Sequence, residues 1–418
     1  MFKKFKLISK YFSKDSFIEI TDIIKTENIL DVKFKTSEDI NRFLKEKYHF
    51  IEYLKFDFDL RNCPDGVCVI PAVSNLLPIV WFFDLKLIVD ELDKNFYESI
   101  DEIKKGYQQM YPFVDFNGKI VVKNIIDYSY DSQDNSILLF SQGLDSLNSF
   151  VNHIDENLHL TTIHGSDIPL DKTEGFDYLS RQIDEFALKY NCENSFIRSN
   201  FRRCMNYQVL DKSLPEPMID SWWHQLQHGI GILSHAVVMA YLKKSKCIYI
   251  ASSHSESYAN SLGLDYVRCA SSPIIDNQFK FASCKIVHDG YEYRRIDKLE
   301  NIVDFSRSHE TLKLRVCFTS RDGSNCSICE KCARSIFGLI SMGEDPNEYG
   351  FNVDEDRLKL IKHNLDYLKT GKEKKGWRQN NYRPYHWINI QKNFQDNRDE
   401  FEDNETVNWI FDYDFLGS

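Results

Sequence analysis

The sequence predicts an α/β protein on a doubly wound parallel sheet, with a metal-binding cysteine segment and an added N-terminal domain. Three observations carry that expectation. From about Asp131 short apolar strands alternate with helical stretches, the signature of strand-helix-strand units. The strand Ser136–Phe140 runs directly into the small-residue turn Ser141-Gln142-Gly143-Leu144-Asp145-Ser146 and then into a helical pattern. Cys317, Cys326, Cys329 and Cys332 fall together in one short segment.

Taken in order, residues 1–130 read as an N-terminal extension of unknown role. The uncharged run Val67 to Phe83 is broken by Pro71 and Pro78, and a membrane-spanning helix needs about 20 apolar residues. The run is therefore expected to be buried core, with no membrane partner. Asp84 to Tyr111 shows helical apolar spacing through Leu85, Ile88, Leu92, Phe96, Ile100 and Ile103. Residues 131–345 supply the sheet, with strands at Ser136–Phe140, Leu158–Ile163, Ser195–Arg198 and Cys247–Ala251. Helices are expected between them at Leu144–Ile154, Tyr178–Tyr190 and Trp222–Leu242. Ligands of such sheets bind beyond the carboxyl ends of the strands, so the residues just after each strand matter most. Residues 346–418 hold one more helix, over 354–370, and an aromatic-rich tail that reads as a surface wrap or partner contact.

Composition narrows the function classes. An apolar fraction of 42% with mixed charge suits a globular chain rather than a disordered one. The formal charge of −11 argues against a protein that coats nucleic acid, since that binding relies on Lys and Arg neutralising phosphates. The basic N-terminus lacks the continuous apolar stretch of a secretory signal. Eleven cysteines in a chain of 418 residues without such a signal fit a reducing compartment, the cytoplasm.

At a strand-to-helix turn, small residues let consecutive backbone N–H groups face one anion, and the helix N-terminus adds partial positive charge. The hydroxyls of Ser141 and Ser146 can donate to phosphate oxygens. Asp145 would repel phosphate unless a cation lies between them, which gives it the role of holding Mg²⁺. The alternative is an ordinary turn in which Asp145 and Ser146 cap the helix. The hexapeptide resembles the Ser-Gly-Gly-x-Asp-Ser fingerprint of the N-type ATP pyrophosphatases, with Gln142 where that family has glycine. The resemblance implies an adenine nucleotide alpha hydrolase-like (PP-loop) fold. It also implies ATP bound along Ser141, Gln142, Gly143, Leu144, Asp145 and Ser146, with adenylation of a substrate oxygen and release of pyrophosphate.

The cysteines read C-x8-C-x2-C-x2-C. Thiolates two residues apart can turn onto one metal, and a fourth from a preceding strand completes the closed tetrahedron of structural zinc. Zinc is the reading adopted for Cys317, Cys326, Cys329 and Cys332, although sulfur spacing by itself leaves an iron–sulfur cluster open. With four cysteines no position remains for a catalytic water, so the metal is a scaffold. Loop and cysteines together, over about residues 134 to 345, resemble the 7-cyano-7-deazaguanine synthase family (QueC). Members adenylate the carboxylate of 7-carboxy-7-deazaguanine and combine it with ammonia.

Other residues follow from strand ends and from the resemblance. Tyr258 and Asn260 lie in the polar stretch after the fourth strand, where the family has a polar segment around a tyrosine; a plain polar loop is the alternative. Lys298, in Arg295-Ile296-Asp297-Lys298-Leu299-Glu300, resembles the Lys-x-Glu segment that these pyrophosphatases place beside the phosphates, as a cation for developing charge. A solvated helix start is its alternative. His224, His228 and His235 fall within ~40° on one helical face, open to hydrogen-bonded burial, pocket lining or metal.

The function so implied is AMP-forming activation of a 7-deazaguanine carboxylate, with Asp145, Ser146 and Lys298 as catalytic residues and transfer of the acyl group to an amine. Relatives with N-terminal extensions occur in bacterial antiviral gene clusters of the Qat and CBASS types, which implies an acceptor on a partner protein encoded in the same operon. Two other readings stand beside it: a module that binds ATP or a partner without chemistry, and a tRNA-modifying pyrophosphatase, which the acidic charge disfavours.

Overall fold

The computed structural model describes residues 15–45, 49–55 (backbone only), 59–218, 220–253, 268–320, 322–378, 382 and 384–416. Its strands are β1 Phe17–Lys25, β2 Ile29–Thr36, β3 His49–Lys55, β4 Lys86–Asp93, β5 Lys119–Ile126, β6 Gln133–Leu139, β7 Leu158–His164, β8 Glu193–Ser199, β9 Ser245–Ala251, β10 Lys280–Phe281 and β11 Cys284–Asp289. All eleven belong to one mixed sheet, in the order β10-β11-β9-β6-β7-β8-β3-β2-β1-β4-β5.

The centre of that sheet is parallel: β11 pairs with β9, β9 with β6, β6 with β7, and β7 with β8. Numbered among themselves, these five strands run 3-2-1-4-5, so the chain starts in the middle, works to one side and returns to the other. The order reverses between β6 and β9, and a crevice opens there beyond the strand ends.

Side-chain alternation along β6 separates two cores. Ile137 and Leu139 pack on one face of the sheet, Leu138 and Phe140 on the other. The first face is covered by α1 (Ile70–Phe82), by α2 (Lys94–Met110) and by a segmented helical run over Trp223–Leu242. The second is covered by α3 (Leu144–Asn152), α4 (Thr173–Lys189), α5 (Arg295–Ser308), α6 (Glu330–Ile340), α7 (Glu355–Lys369) and α8 (Pro384–Asp396). Every residue of α1 is buried, with Pro71 at its start and Pro78 inside it, which accounts for the uncharged run as core. Among the described residues no helix is long and apolar enough to cross a membrane.

Residues 1–130 give this sheet β1 to β5. β3 pairs antiparallel with β8, so the N-terminal strands continue the central sheet. The helix expected over Asp84–Tyr111 is a strand followed by a helix. Leu87 and Val89 alternate inward along β4, and the Asp93 carboxylate then accepts from the Phe96 N–H to start α2. The spacing of Phe96, Ile100 and Ile103 is helical; extending it back to Leu85 overran that cap.

The tail wraps the cysteine segment. Trp377 Nε1 donates to the Ile328 carbonyl at 2.8 Å, and Trp387 Nε1 to Glu330 Oε1 at 3.2 Å. Trp377, Trp387, Phe394 and Phe415 are buried in the second core, which makes the aromatic tail part of the fold.

Candidate active site and metal centre

The loop Ser141–Ser146 leaves β6 beside the point where the strand order reverses. Gly143 caps α3 in an extended conformation, and Gln142 before it is left-handed, with φ +58°. A residue with a Cβ pays about 1–2 kcal/mol to sit there, a cost that glycine would avoid. The Gln142 side chain is buried and is not among those lining the adjacent cavity; its carbonyl accepts the Arg315 N–H at 2.8 Å. Ser146 Oγ donates to the Gly143 carbonyl at 3.2 Å and lies 3.3 Å from the Ser141 N–H, closing the turn. The first N–H groups of α3 lack intrahelical acceptors and carry the helix's positive end.

A cavity of about 380 Å³ opens in front of the loop, lined by Ser141, Gly143, Leu144, Asp145 and Ser146 among others. That volume is in the range of small-ligand sites. Arg202, Arg295, Arg315 and Lys331 line it against the carboxylates of Asp145 and Asp167. Asp145 Oδ2 lies 2.9 Å from Arg295 Nη1, and Asp145 Oδ1 lies 3.4 Å from Lys298 Nζ. Burial raises the Asp145 pKa, but Arg295, then Lys298 and Lys331, outweigh it and hold the carboxyl well below its ordinary range. Asp167 is held low in the same way: burial raises it, and Arg315, Lys331, His228 and Arg202 pull it down.

Asp297 sets this arrangement by accepting the Arg294 N–H at 2.8 Å, which fixes the first turn of α5 so that Arg295 faces the loop. Lys298, one turn on, lies behind the cavity wall and also donates to the Ser252 carbonyl after β9. The sequence pointed to Lys298, whereas the cation lining the cavity from this helix is Arg295. Arg202, just after β8, is pinned by Nη1 donating to the Ser166 carbonyl at 2.9 Å and by stacking 4.3 Å over the Trp223 ring. Tyr258 and Asn260 lie outside the described residues.

The three histidines do not share one role, although the His224 and His228 rings lie 6.1 Å apart. A π-helical turn over Trp223–Gln227 shifts the helical phase, and of the three only His228 lines the cavity. Its Nδ1 is 3.4 Å from Cys269 Sγ, and burial first, then His224, Arg202 and Lys331 against the opposing pull of Asp167, lower its pKa to about 3. His235 is fully buried against Ser199 Oγ at 3.0 Å, and His224 lies 3.4 Å from Asp220.

Cys317, Cys326, Cys329 and Cys332 bring their sulfurs within 4.8 Å of one another, with Cys317 to Cys329 at 3.9 Å and Cys326 to Cys332 at 4.0 Å. Four thiolates 2.3 Å from one zinc ion define a tetrahedron with edges of roughly 3.8 Å. The group could hold one zinc ion. In an iron–sulfur cluster the four thiolates are divided among two or four irons, so they cannot all lie as close together as on one ion. The second layer is in place: Thr319 and Ser320 N–H groups face Cys317 Sγ at 3.4 and 3.2 Å, and the Cys329 N–H faces Cys326 Sγ at 3.3 Å. The knuckle turns through Ser327 at φ +57° and leads into α6.

Asp167, Arg202, Arg315 and Lys331 were missed from sequence as cavity residues, whereas His228 had been named with pocket lining as one of its readings. Asp167 and Arg202 lie just after β7 and β8, where the strand-end rule points; Arg315 and Lys331 flank or interrupt the cysteine motif. Compared with protein-family models, with curated proteins and with solved structures, the chain shows no match.

Proposed function

We propose that the chain binds ATP in this cavity, adenylates the carboxylate of a 7-deazaguanine acid and passes the acyl group to an amine. The observation that carries the reading is a small-residue loop at a helix N-terminus, at the strand-order reversal, facing a cavity in which cationic side chains outnumber carboxylates. In the first step a carboxylate oxygen attacks the α-phosphorus, the bond to the oxygen bridging to the β-phosphate breaks, and pyrophosphate leaves against the loop. In the second step the amine nitrogen attacks the acyl carbon, the C–O bond to AMP breaks, and the amine loses a proton.

The protein's part is positioning and electrostatics. The loop N–H groups and Arg295 suit the leaving pyrophosphate. Asp145 and Asp167 are the oxygen donors available to the Mg²⁺ that accompanies the triphosphate. A zinc ion on the four cysteines would serve as scaffold. The deazaguanine acid, and an acceptor amine on a protein encoded nearby, rest on the sequence resemblance and its motifs.

Incubation with ATP and 7-carboxy-7-deazaguanine should yield AMP and pyrophosphate. ADP with phosphate, or no AMP with any deazaguanine acid, refutes the reading. Intact-mass analysis with the products of neighbouring genes then separates the acceptors: an adduct of deazaguanine size marks a protein amine, and free nitrile marks ammonia.

A further inference from the structure

The cavity's charges are not evenly satisfied. Arg295 is paired with Asp145 and Arg202 is fixed on Ser166 and Trp223. Lys331 and Arg315 differ. Both line the cavity, yet among the described residues Lys331 Nζ has no hydrogen bond or ion pair, and Arg315 Nε is a buried donor with no partner. A buried unpartnered donor such as Arg315 Nε costs about 1–3 kcal/mol, and with Lys331 unpaired in the same cavity the two call for an anion.

Their position along the cavity narrows which anion. Lys331 acts electrostatically on both carboxylates: on Asp145, which belongs to the loop end with Arg295, and on Asp167, which sits with Arg315, His228 and Arg202. It lines the same cavity as both carboxylates. Arg315 is tied to the loop through its N–H on the Gln142 carbonyl. Both residues are delivered by the cysteine segment: Arg315 is two residues before Cys317, and Lys331 stands between Cys329 and Cys332.

We infer that Lys331 and Arg315 form a distinct anion subsite, between the loop and the Arg202 end, that receives the α-phosphate of the nucleotide. The inference rests on the proposed adenylation. The leaving pyrophosphate occupies the loop and the attacking carboxylate approaches from the Arg202 end, so the phosphorus that changes partners lies between them. Two cations there offset the negative charge that gathers on its non-bridging oxygens.

AMP and inorganic pyrophosphate probe the two subsites separately. The metal-loaded full chain is titrated calorimetrically with each, and zinc content and melting temperature are measured on every variant. Lys331→Met should weaken AMP binding at least tenfold and change pyrophosphate binding less than threefold, with Lys331→Arg restoring most of the AMP affinity. Arg315→Met, outside the C-x2-C-x2-C turn, should act the same way and carries the test if Lys331→Met loses its metal. Unchanged AMP affinity in both variants, or equal weakening of AMP and pyrophosphate, overturns the subsite. A wild-type chain that binds neither AMP, pyrophosphate nor ATP instead overturns the functional reading beneath it.

Discussion

Replacing Asp145 by Asn removes a carboxylate from between two cations and tests the electrostatics of the cavity directly. The side chains of Asp145, Arg295 and Lys298 are 14%, 11% and 2% exposed, with oxygen-to-nitrogen distances of 2.9 and 3.4 Å. At an effective dielectric near 20 each pair attracts by about 5 kcal/mol, most of which desolvation offsets. Losing the charge leaves Arg295 and Lys298 uncompensated, at about 3–5 kcal/mol for a buried site. Because the cavity admits water, the lower end, about 3 kcal/mol, is expected. The pH dependence has a definite sign. The folded pKa of Asp145 is depressed, so its stabilisation is present above the unfolded value near 4 and is lost as pH falls through the folded value. Urea denaturation of wild type and Asp145→Asn should therefore show a full gap at pH 7 and at pH 5, narrowing only below about pH 4. A gap under about 0.5 kcal/mol at pH 7, or one already closing by pH 5, refutes the reasoning.

Elemental analysis should find one zinc per chain and no iron. Gly376→Ala should loosen the metal without replacing a ligand, because a Cβ there would press on Cys329 at 2.8 Å from its Cβ, at a φ of +84°; unchanged zinc retention under a chelator speaks against this. Gln142→Gly should stay within about 1 kcal/mol of wild type while Gln142→Val loses about 2 kcal/mol, since β-branched side chains fit φ +58° worst. Equal melting temperatures for the two variants would count against a strained turn. His159, His228 and His235 have folded pKa values lowered to about 4, 3 and 3 by burial first of all, so their stabilisation is complete above the unfolded value near 6.5 and is lost on acidification. Stability should fall from pH 6.5 toward pH 4 by up to about 1.4 kcal/mol per pH unit for each histidine; a flat profile from pH 7 to 5 is incompatible with three buried neutral imidazoles.

What could be read from sequence was what neighbouring residues determine. The hexapeptide after β6 and the cysteine spacing are local patterns, and both lie at the cavity or its wall. Asp167 follows β7, while Arg202 and His228 lie far apart on the connection from β8 to β9, and only the folded sheet brings the three together. The shared face expected for His224, His228 and His235 assumed one regular helix, whereas a π turn at Trp223–Gln227 and a tighter turn at Ser234–Ala236 interrupt it. In the N-terminal region Ile18, Ile20, Leu87 and Val89 alternate as strands do, but the mixed polar residues between them, and the longer-range helical spacing from Leu85 to Ile103, hid the period of two.

The β3–β8 pairing makes the joint near residue 130 a seam within a sheet rather than a hinge between bodies. A cut there would strip β8 of its neighbour and bare a row of unpaired amides on the very strand that leads into Arg202. The first 130 residues thus act on the cavity as a splint. They hold the outer parallel strand in register and shield its edge, so shortening the chain to its central region would trade a braced cavity for an aggregation-prone border.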